Sequence, residues 1–250
     1  MLSWAQQRKL WFVGGVSLSL IGVLSVYAFT ALRGAPRCDN DTRDGDERGV
    51  DCGGACLKLC PADTTPPLIH FTRALEIESG IWGAVVYAEN RNVGAGAKDV
   101  PYVFKLYDEE NLLIYERRGK TFIPPRKVFA IFEGKMQSGN RTPSRATFEF
   151  LEEPTFLRFE EPLLSLSTKG FSTSEEGSSL QATIQNPSSR VVEGIEITAL
   201  LFGGDGNVIA ASATRVKKLM AEERASLVFT WPRELEIPAR IEVLYRVQSR

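Results

Sequence analysis

The chain has 250 residues, of which 43% are hydrophobic and 24% are charged, and this balance is typical of folded globular proteins. Its 30 basic and 31 acidic residues give a formal net charge of -1, so the composition carries no electrostatic footprint for nucleic acid. Only one histidine is present. The commonest general base and metal ligand is therefore missing from most catalytic mechanisms.

The first element is an uncharged apolar run at 10–32, LWFVGGVSLSLIGVLSVYAFTAL. As a helix it would span about 34 Å, which is enough to cross a bilayer. Arg8 and Lys9 precede it, and this slight basic bias predicts a cytoplasmic tail at 1–9, a transmembrane helix at 10–32 and an exported C-terminus at the plasma membrane. A cleaved signal peptide is the alternative, although the run exceeds the ~7–15 residues of a signal core.

All four cysteines lie in a segment predicted at 33–61, directly after the apolar run. They are Cys38, Cys52, Cys56 and Cys60. An even number in a short, loop-rich, exported stretch indicates two disulfides, because such a stretch has too little apolar surface for a core. Three pairings are possible, and the spacing does not choose among them. Zinc is the alternative, but structural zinc sites pair their ligands closely at both ends and Cys38 has no near neighbour.

The loop between the first two cysteines contains six acids and two bases. Carboxylates at alternating positions are what calcium requires, so calcium is the cofactor considered for this segment. The alternation is incomplete, because Arg43 occupies the third alternating place and no EF-hand loop results. A solvated acidic turn is therefore favoured over a calcium site. The candidate calcium ligands are Asp39, Asp41, Asp44, Asp46 and Asp51.

The acidic loop leads into the sequence VDCGG at 50–54, and two further cysteines follow. This pattern resembles a cysteine-rich motif of exported bacterial proteins, although the last two cysteines of that motif usually lie one residue closer together. The resemblance implies an extracytoplasmic position and no chemistry. The matching residues are Cys38, Gly45, Glu47, Gly49, Val50, Asp51, Cys52, Gly53, Gly54, Cys56 and Cys60.

A short polar linker is predicted at 62–66, where paired prolines favour an extended backbone. After it the chain repeats at an offset of about 95 residues: Pro67-Leu68-Ile69 recurs as Pro162-Leu163-Leu164, and Asn90 recurs as Asn186. A nearly constant offset indicates duplication. It predicts one module at 67–160 and a second at 161–250.

Within both modules apolar residues alternate with period two, which indicates β-strands, and turn signals separate the runs. About seven short strands in ~95 residues is typical of an immunoglobulin-like sandwich. The predicted fold class is all-β, with two tandem immunoglobulin-like sandwiches after the transmembrane helix and the disulfide-rich segment. The predicted strand faces are Val100, Tyr102, Phe104 and Leu106; Ile195, Ile197, Ala199 and Leu201; and Ile241, Val243, Tyr245 and Val247.

The run FKLYD at 104–108 follows an Asn-ending strand and precedes a polar turn and a hydrophobic return strand. This order resembles the FxLYD family of small immunoglobulin-like domains. In the second module LLFGG stands at 200–204, so only the architecture carries over there. The resemblance implies an exported or membrane-anchored protein without established catalytic residues.

No constellation of catalytic residues emerges from the sequence. His70 has no Gly-x-Ser-x-Gly motif to accompany it. The acidic pairs at 152–153 and 160–161 flank the junction of the modules and are expected to be solvated, and the basic residues at 117–118 and 215–218 are expected to form polar faces. We therefore do not expect an enzyme.

The function predicted is a non-catalytic, single-pass membrane-anchored module that presents two immunoglobulin-like domains at the cell surface. Its partners would be the membrane, through 10–32, and a protein or an envelope polymer that binds loops or sheet edges. The alternatives are a calcium-responsive envelope sensor, which would act through the acidic cysteine-rich segment, and a passive envelope spacer.

Overall fold

The computed structural model describes residues 4–32 and 37–248. Residues 1–3 of the predicted tail, 33–36 of the predicted cysteine-rich segment and 249–250 of the predicted second module lie outside the described residues. The chain divides into two compact units, Met1–Cys60 and Pro61–Arg250.

The first unit begins with helix α1 (Trp4–Leu32), which starts ahead of the predicted Leu10. The residues before Leu10 include no glycine or proline, and the glutamines, arginine and lysine among them favour helix. Within α1 the segment Gln6–Thr30 is long and apolar enough to cross a membrane, and its most apolar window has no buried residue. An apolar helix that buries none of its faces is unstable in water, so α1 needs an apolar environment from elsewhere.

The second unit opens with a single 3-10 turn, Pro61–Asp63, which begins one residue before the linker predicted at 62–66. The end of that linker is attached to the strands that follow: the Thr65 amide donates to Asn92 Oδ1, and Asn92 Nδ2 donates to the Thr65 carbonyl, both at 2.8 Å. The strands are β1 (Leu68–Glu78), β2 (Ile81–Asn90), β3 (Ala95–Tyr107), β4 (Leu113–Ile123), β5 (Lys127–Gln137), β6 (Arg145–Phe150), β7 (Leu157–Arg158), β8 (Ser165–Ser174), β9 (Gly177–Gln185), β10 (Val192–Phe202), β11 (Val208–Leu219), β12 (Arg224–Trp231) and β13 (Arg240–Val247).

These strands form four antiparallel sheets, two in each half of the unit. The first half contains the sheets β1-β2-β5 and β4-β3-β6, and β7 pairs with the start of β3. The second half contains β8-β9-β12 and β11-β10-β13. The strand order is the same in both halves when β1 is matched with β8 and the others follow in turn. The predicted all-β sandwich class is confirmed.

Each half has its own core, filled by the predicted strand faces. In the first sandwich Phe104 and Tyr102 pack against Phe148, with ring centroids 4.9 and 5.5 Å apart. In the second, Ile195 and Ile197 are fully buried in one cluster with residues of β9 and β12. The alternation in the sequence therefore identifies the side of each strand that faces its own core.

A further apolar cluster joins the two sandwiches. The outer face of sheet β1-β2-β5 packs on the outer face of sheet β11-β10-β13, so the central strands β2 and β10 are apolar on both sides. The buried members of this cluster, the sandwich interface, are Leu75, Val85, Ala130, Leu200, Phe202, Val208 and Ala211. The sandwiches are consequently one packed body, with sheet against sheet.

Candidate functional site

The four cysteines form two disulfides, Cys38–Cys56 and Cys52–Cys60, with Cα–Cα distances of 5.6 and 5.0 Å. The predicted disulfides are confirmed, and the pairing is the interleaved one of the three possibilities. This bonding leaves none of the four thiolates to bind zinc. On the chain-entropy model a loop as long as the larger one stabilises by about 3 kcal/mol, which a segment without its own apolar core needs.

Most acidic side chains of this cysteine-rich segment hold its backbone in place. The Asp51 carboxylate accepts hydrogen bonds from the amides of Asn40 and Asp41, both at 2.9 Å. Asp44 Oδ2 accepts from the Asn40 side chain at 2.8 Å. Glu47 is buried, and its Oε2 accepts from the amides of Asp44 and Asp51 at 3.3 and 3.2 Å. The carboxylates thus accept hydrogen bonds from backbone amides that have no neighbouring strand to pair with in this loop.

The five predicted calcium ligands do not form a cluster. Asp39 and Asp41 are exposed, and Asp46 Oδ1 accepts from the Ala55 amide at 3.3 Å. In residues 4–32 and 37–248, the one group of three ligand atoms within 4.8 Å of one another comprises Cys38, Glu47 and Cys56, whose two sulfurs are bonded to each other. A preformed calcium cage would need several convergent oxygens. The calcium hypothesis has no preformed ligand set here.

Two glycines of the VDCGG-type pattern are explained by close packing. Gly54 has φ of 56°, and a Cβ there would clash with the carbonyl oxygen of Asp46. A Cβ at Gly49 would lie 2.8 Å from Cys52 Sγ. Only glycine fits both positions without movement of the surrounding loop. The pattern therefore encodes the shape of the disulfide segment.

A cleft of ≈ 320 Å³ lies between the two sandwiches, beside the apolar interface. We call this cavity the sandwich cleft. Residues of both sandwiches contribute charged or phenolic groups to it. Its charged and phenolic lining residues are Tyr102, Lys120, Glu133, Glu196, Arg215 and Arg246. Clefts between domains are common places for ligands, so the sandwich cleft is a candidate binding site.

Arg246 is the most buried charge of the cleft, at 4% exposure. Its Nη1 donates to Thr121 Oγ1 at 2.7 Å and to the Phe122 carbonyl at 2.9 Å, both in the first sandwich. Its Nη2 donates to Glu196 Oε2 at 2.6 Å in the second. Burial lowers the pKa of Arg246 and Glu196 opposes this shift. Because guanidinium starts from a very high pKa, Arg246 remains a buried cation shared by the two sandwiches.

The two carboxylates of the cleft are already engaged. Glu196 accepts from Arg246 and also pairs with Arg215. Glu133 accepts from the Tyr102 hydroxyl, and its Oε2 lies 3.4 Å from Arg117 Nε. Burial and the hydrogen bond to Glu133 raise the pKa of Tyr102 well above its usual range, so the phenol stays neutral.

The segment that connects the sandwiches is held by a partly buried ion pair. Lys127 Nζ lies 2.7 Å from Glu161 Oε2, and Glu161 Oε1 accepts from the Val247 amide at 2.8 Å. The Lys127 ammonium also lies 3.5 Å from the centroid of the Tyr245 ring. The expectation of a solvated acidic pair is wrong for Glu161, whose side chain is only 8% exposed. Burial raises the pKa of Glu161 and lowers that of Lys127, and their attraction opposes both shifts.

Sequence reasoning missed the sandwich cleft, although two signals for it exist. The runs AVVYA in β2 and ALLF in β10 are apolar at successive positions, which is typical of strands covered on both faces. In β13 the outer positions alternate with the core-facing ones and carry Leu244 and Arg246. A cation on a face that also carries leucine indicates a covered face with a polar partner.

No family model and no curated protein sequence matches the chain. Among solved structures it is similar to a red sea bream transglutaminase, with 11% identity, a TM-score of 0.24, and coverage of 74% of this chain and 29% of that one. It is also similar to a Bacteroides uniformis beta-glucuronidase, with 14% identity, a TM-score of 0.26, and coverage of 68% and 24%. The chain spans less than a third of either enzyme. Neither likeness bears on its function.

Proposed function

We propose that the chain is a non-catalytic, single-pass membrane-anchored module that presents two packed immunoglobulin-like sandwiches at the extracytoplasmic surface. One observation carries the proposal: an apolar helix whose most apolar part is entirely unburied is followed, within a few residues of sequence, by a segment with two disulfides. The helix ends at Leu32, and the disulfides lie within residues 37–60. The helix needs a bilayer, and disulfides persist in oxidising compartments. Together they indicate a protein held at a membrane with its cysteines exported.

The orientation follows from the charges at the start of the helix. Arg8 and Lys9 lie in the first turns of α1, ahead of its uncharged part, and basic residues favour the cytoplasmic side. The uncharged run is longer than a signal core, which supports retention of the helix as a signal-anchor over its removal. In this proposal the unit Pro61–Arg250 lies outside the cytoplasm.

A buried asparagine in each sandwich supports the duplication. Asn90 Nδ2 donates to the carbonyl oxygen of Pro124 at 2.7 Å, and Asn186 Nδ2 donates to that of Met220 at 2.8 Å. Pro124 follows β4 and Met220 follows β11, the matching strand. Each asparagine Oδ1 also accepts from the amide two residues further on. The same side chain therefore fixes the same two loops in both halves.

The FxLYD resemblance of the first sandwich also has physical support. Phe104 and Leu106 are fully buried. Asp108 is buried at the end of β3, where its Oδ1 accepts from the Leu112 amide at 2.8 Å and its Oδ2 pairs with Arg141. These contacts lower the pKa of Asp108, against the effect of desolvation. The motif residues thus build a core and a turn, which is a structural role.

The absence of catalysis is part of the proposal, and two features support it. His70 Nε2 lies 3.2 Å from Glu89 on an exposed part of β1, with no serine or cysteine among its recorded partners in the described chain. All four cysteines are held in disulfides. Nucleophilic catalysis by a histidine-activated hydroxyl or thiol therefore has no assembled set of residues in 4–32 and 37–248.

The test is cysteine labelling on intact cells with a membrane-impermeant maleimide, before and after reduction, together with a measurement of protein mass. We expect full-length protein that takes no label until it is reduced and then takes label from outside. The Cys38→Ser/Cys56→Ser variant is the matched control, because it should take up half as much label after reduction as the native chain.

Two results would contradict the proposal. Free thiols that can be labelled only after cell lysis would place the cysteine-rich segment in the cytoplasm. A mature protein shortened by about 30 residues would show that α1 acts as a cleaved signal sequence, and the anchored module would then be a secreted one.

A further inference from the structure

The sandwich cleft has unused hydrogen-bond donors, whereas both of its carboxylates already have cationic or phenolic partners. Arg246 Nε is buried and has no acceptor among the described residues. Glu196 forms ion pairs with Arg215 and Arg246. Glu133 accepts a hydrogen bond from the Tyr102 hydroxyl and lies at ion-pair distance from Arg117. A buried donor without an acceptor is costly, so such a site favours a ligand or water that brings acceptor oxygens.

Lys120 and Arg215 supply the accessible donors, and they come from different sandwiches. Lys120 is exposed on β4 and has no recorded ion pair or hydrogen bond in the described part of the chain. The Arg215 side chain, on β11, is 66% exposed and pairs with Glu196 through Nη2. Its other N–H groups are thus open to a ligand, and both side chains line the same cleft.

The charge of the cleft points to an anion. Three cations, Lys120, Arg215 and Arg246, face two carboxylates, and three minus two leaves one positive charge. The partly enclosed position of the cleft weakens solvent screening, so this surplus acts more strongly there than on an open surface. A third anionic group, beside the two carboxylates, would complete the pairing of the three cations.

We propose that the sandwich cleft binds a carboxylate or phosphate group between Lys120 and Arg215, with the buried Arg246 guanidinium behind them. The cleft is large enough for one small anionic group, at ≈ 320 Å³. The inference rests on the proposed function in one respect only: the proposed topology determines that the cleft meets its ligand outside the cytoplasm. Because Lys120 belongs to the first sandwich and Arg215 to the second, the bound group also links the two sandwiches.

The experiment uses the full chain in neutral detergent micelles with ¹⁵N-labelled arginine, and it follows the Nε–H signals by NMR. Variants Arg215→Lys and Arg246→Lys assign the two signals. Inorganic phosphate and acetate are titrated at constant ionic strength, with chloride as the reference anion. We expect saturable movement of the Arg215 and Arg246 signals with phosphate, acetate or both, and about tenfold weaker binding in Lys120→Gln, which loses a charge-assisted hydrogen bond.

Arg118→Gln is the matched control, because Arg118 lies on the same strand as Lys120 and pairs with Glu116 outside the cleft. Its affinity should equal that of the native chain. Glycerol 3-phosphate and glucuronate then distinguish the source, since preference for the first indicates a phosphate ester and preference for the second an acidic sugar; either supports the site.

Equal, unsaturated shifts with phosphate, acetate and chloride would overturn the proposal, as would unchanged affinity in Lys120→Gln. Binding is measured on purified protein, so its failure leaves the membrane topology untouched. Conversely, an inverted topology in cells leaves the binding result standing.

Discussion

Arg246 Nη1 in the second sandwich donates a hydrogen bond of 2.7 Å to Thr121 Oγ1 in the first. The donor is a buried cation whose Nη2 pairs with Glu196. A charge in this position is tolerated only while its partners surround it. The contact therefore makes the packing of the two sandwiches dependent on one side chain.

Removal of that cation should weaken the whole unit. We expect Arg246→Met, which keeps most of the side-chain volume, to lower the free energy of unfolding by about 3 kcal/mol, because Thr121 and Glu196 lose a buried partner. Denaturant unfolding of the full chain in micelles measures this. The exposed Arg118→Gln change should stay within about 0.5 kcal/mol of the native chain. Equal stabilities of the two variants would show that Arg246 does not hold the interface.

The apolar part of the interface gives a second prediction. Leu200 on β10 is fully buried and faces the other sandwich. We expect Leu200→Ala to cost about 3 kcal/mol and to uncouple the sandwiches, so that calorimetry shows two transitions. Val228→Ala, at an exposed position of β12, is the control and should leave a single transition. One unshifted transition in Leu200→Ala would exclude the coupling.

The sandwiches themselves were predictable because their signal is local. The alternation of Ile195 and Ile197 with polar neighbours identifies the core face of β10 directly from the sequence. The contact between the sandwiches was not predicted. It depends on whether the outer face of β10 is covered, and on which strands cover it. Leu200 and Phe202 show only that this face is apolar. Their partners on β1, β2 and β5 lie far away in the sequence.

The cysteine-rich segment shows the same limit. Cysteine number and position were sufficient to predict disulfides. The pairing was not predictable, because it depends on the geometry of the loops and the cysteine spacing is compatible with all three pairings. The spacing of the aspartates suggested a cation, whereas Asp51 turns its oxygens towards the amides of Asn40 and Asp41. Side-chain to backbone hydrogen bonds of this kind leave little trace in a sequence, because they depend on the turn that they stabilise.

The structural role of Asp51 gives a third prediction. We expect Asp51→Asn to increase hydrogen exchange at the amides of Asn40 and Asp41 about tenfold, because a neutral acceptor binds them more weakly. Asp39→Asn, at an exposed position, should leave these amides unchanged. Hydrogen exchange with mass spectrometry measures both variants. Protection that is equal in native and Asp51→Asn protein would contradict the role assigned here.

Calcium provides a separate test of the same segment. Because the carboxylates do not converge, we expect addition of calcium to leave the exchange of amides 37–60 unchanged at constant ionic strength. Magnesium serves as the control for non-specific screening, since it demands a different coordination geometry. Saturable protection by calcium alone would support the calcium-sensor hypothesis and its ligands Asp39, Asp41, Asp44, Asp46 and Asp51.

Tyr87 gives the interface a dependence on alkaline pH. Its hydroxyl donates to Glu242 Oε1 in the second sandwich at 2.8 Å, and burial, then this carboxylate, raise the pKa of Tyr87 to about 12 from 10.0. Since the folded pKa lies above the unfolded one, the stabilisation is complete below about pH 10 and is lost as pH rises through about 12. We expect the free energy of unfolding to fall across this window.

The Tyr87→Phe variant isolates that contribution, because Tyr102 and Tyr245 also have raised pKa values and remain in place. We expect Tyr87→Phe to be less stable than the native chain at neutral pH by about 1 kcal/mol, since Glu242 loses a hydrogen bond. The difference should shrink as pH rises through the window, because the native phenol is deprotonated there and no longer donates. A stability difference that stays constant across this range would show that the Tyr87 hydroxyl does not hold Glu242 in solution.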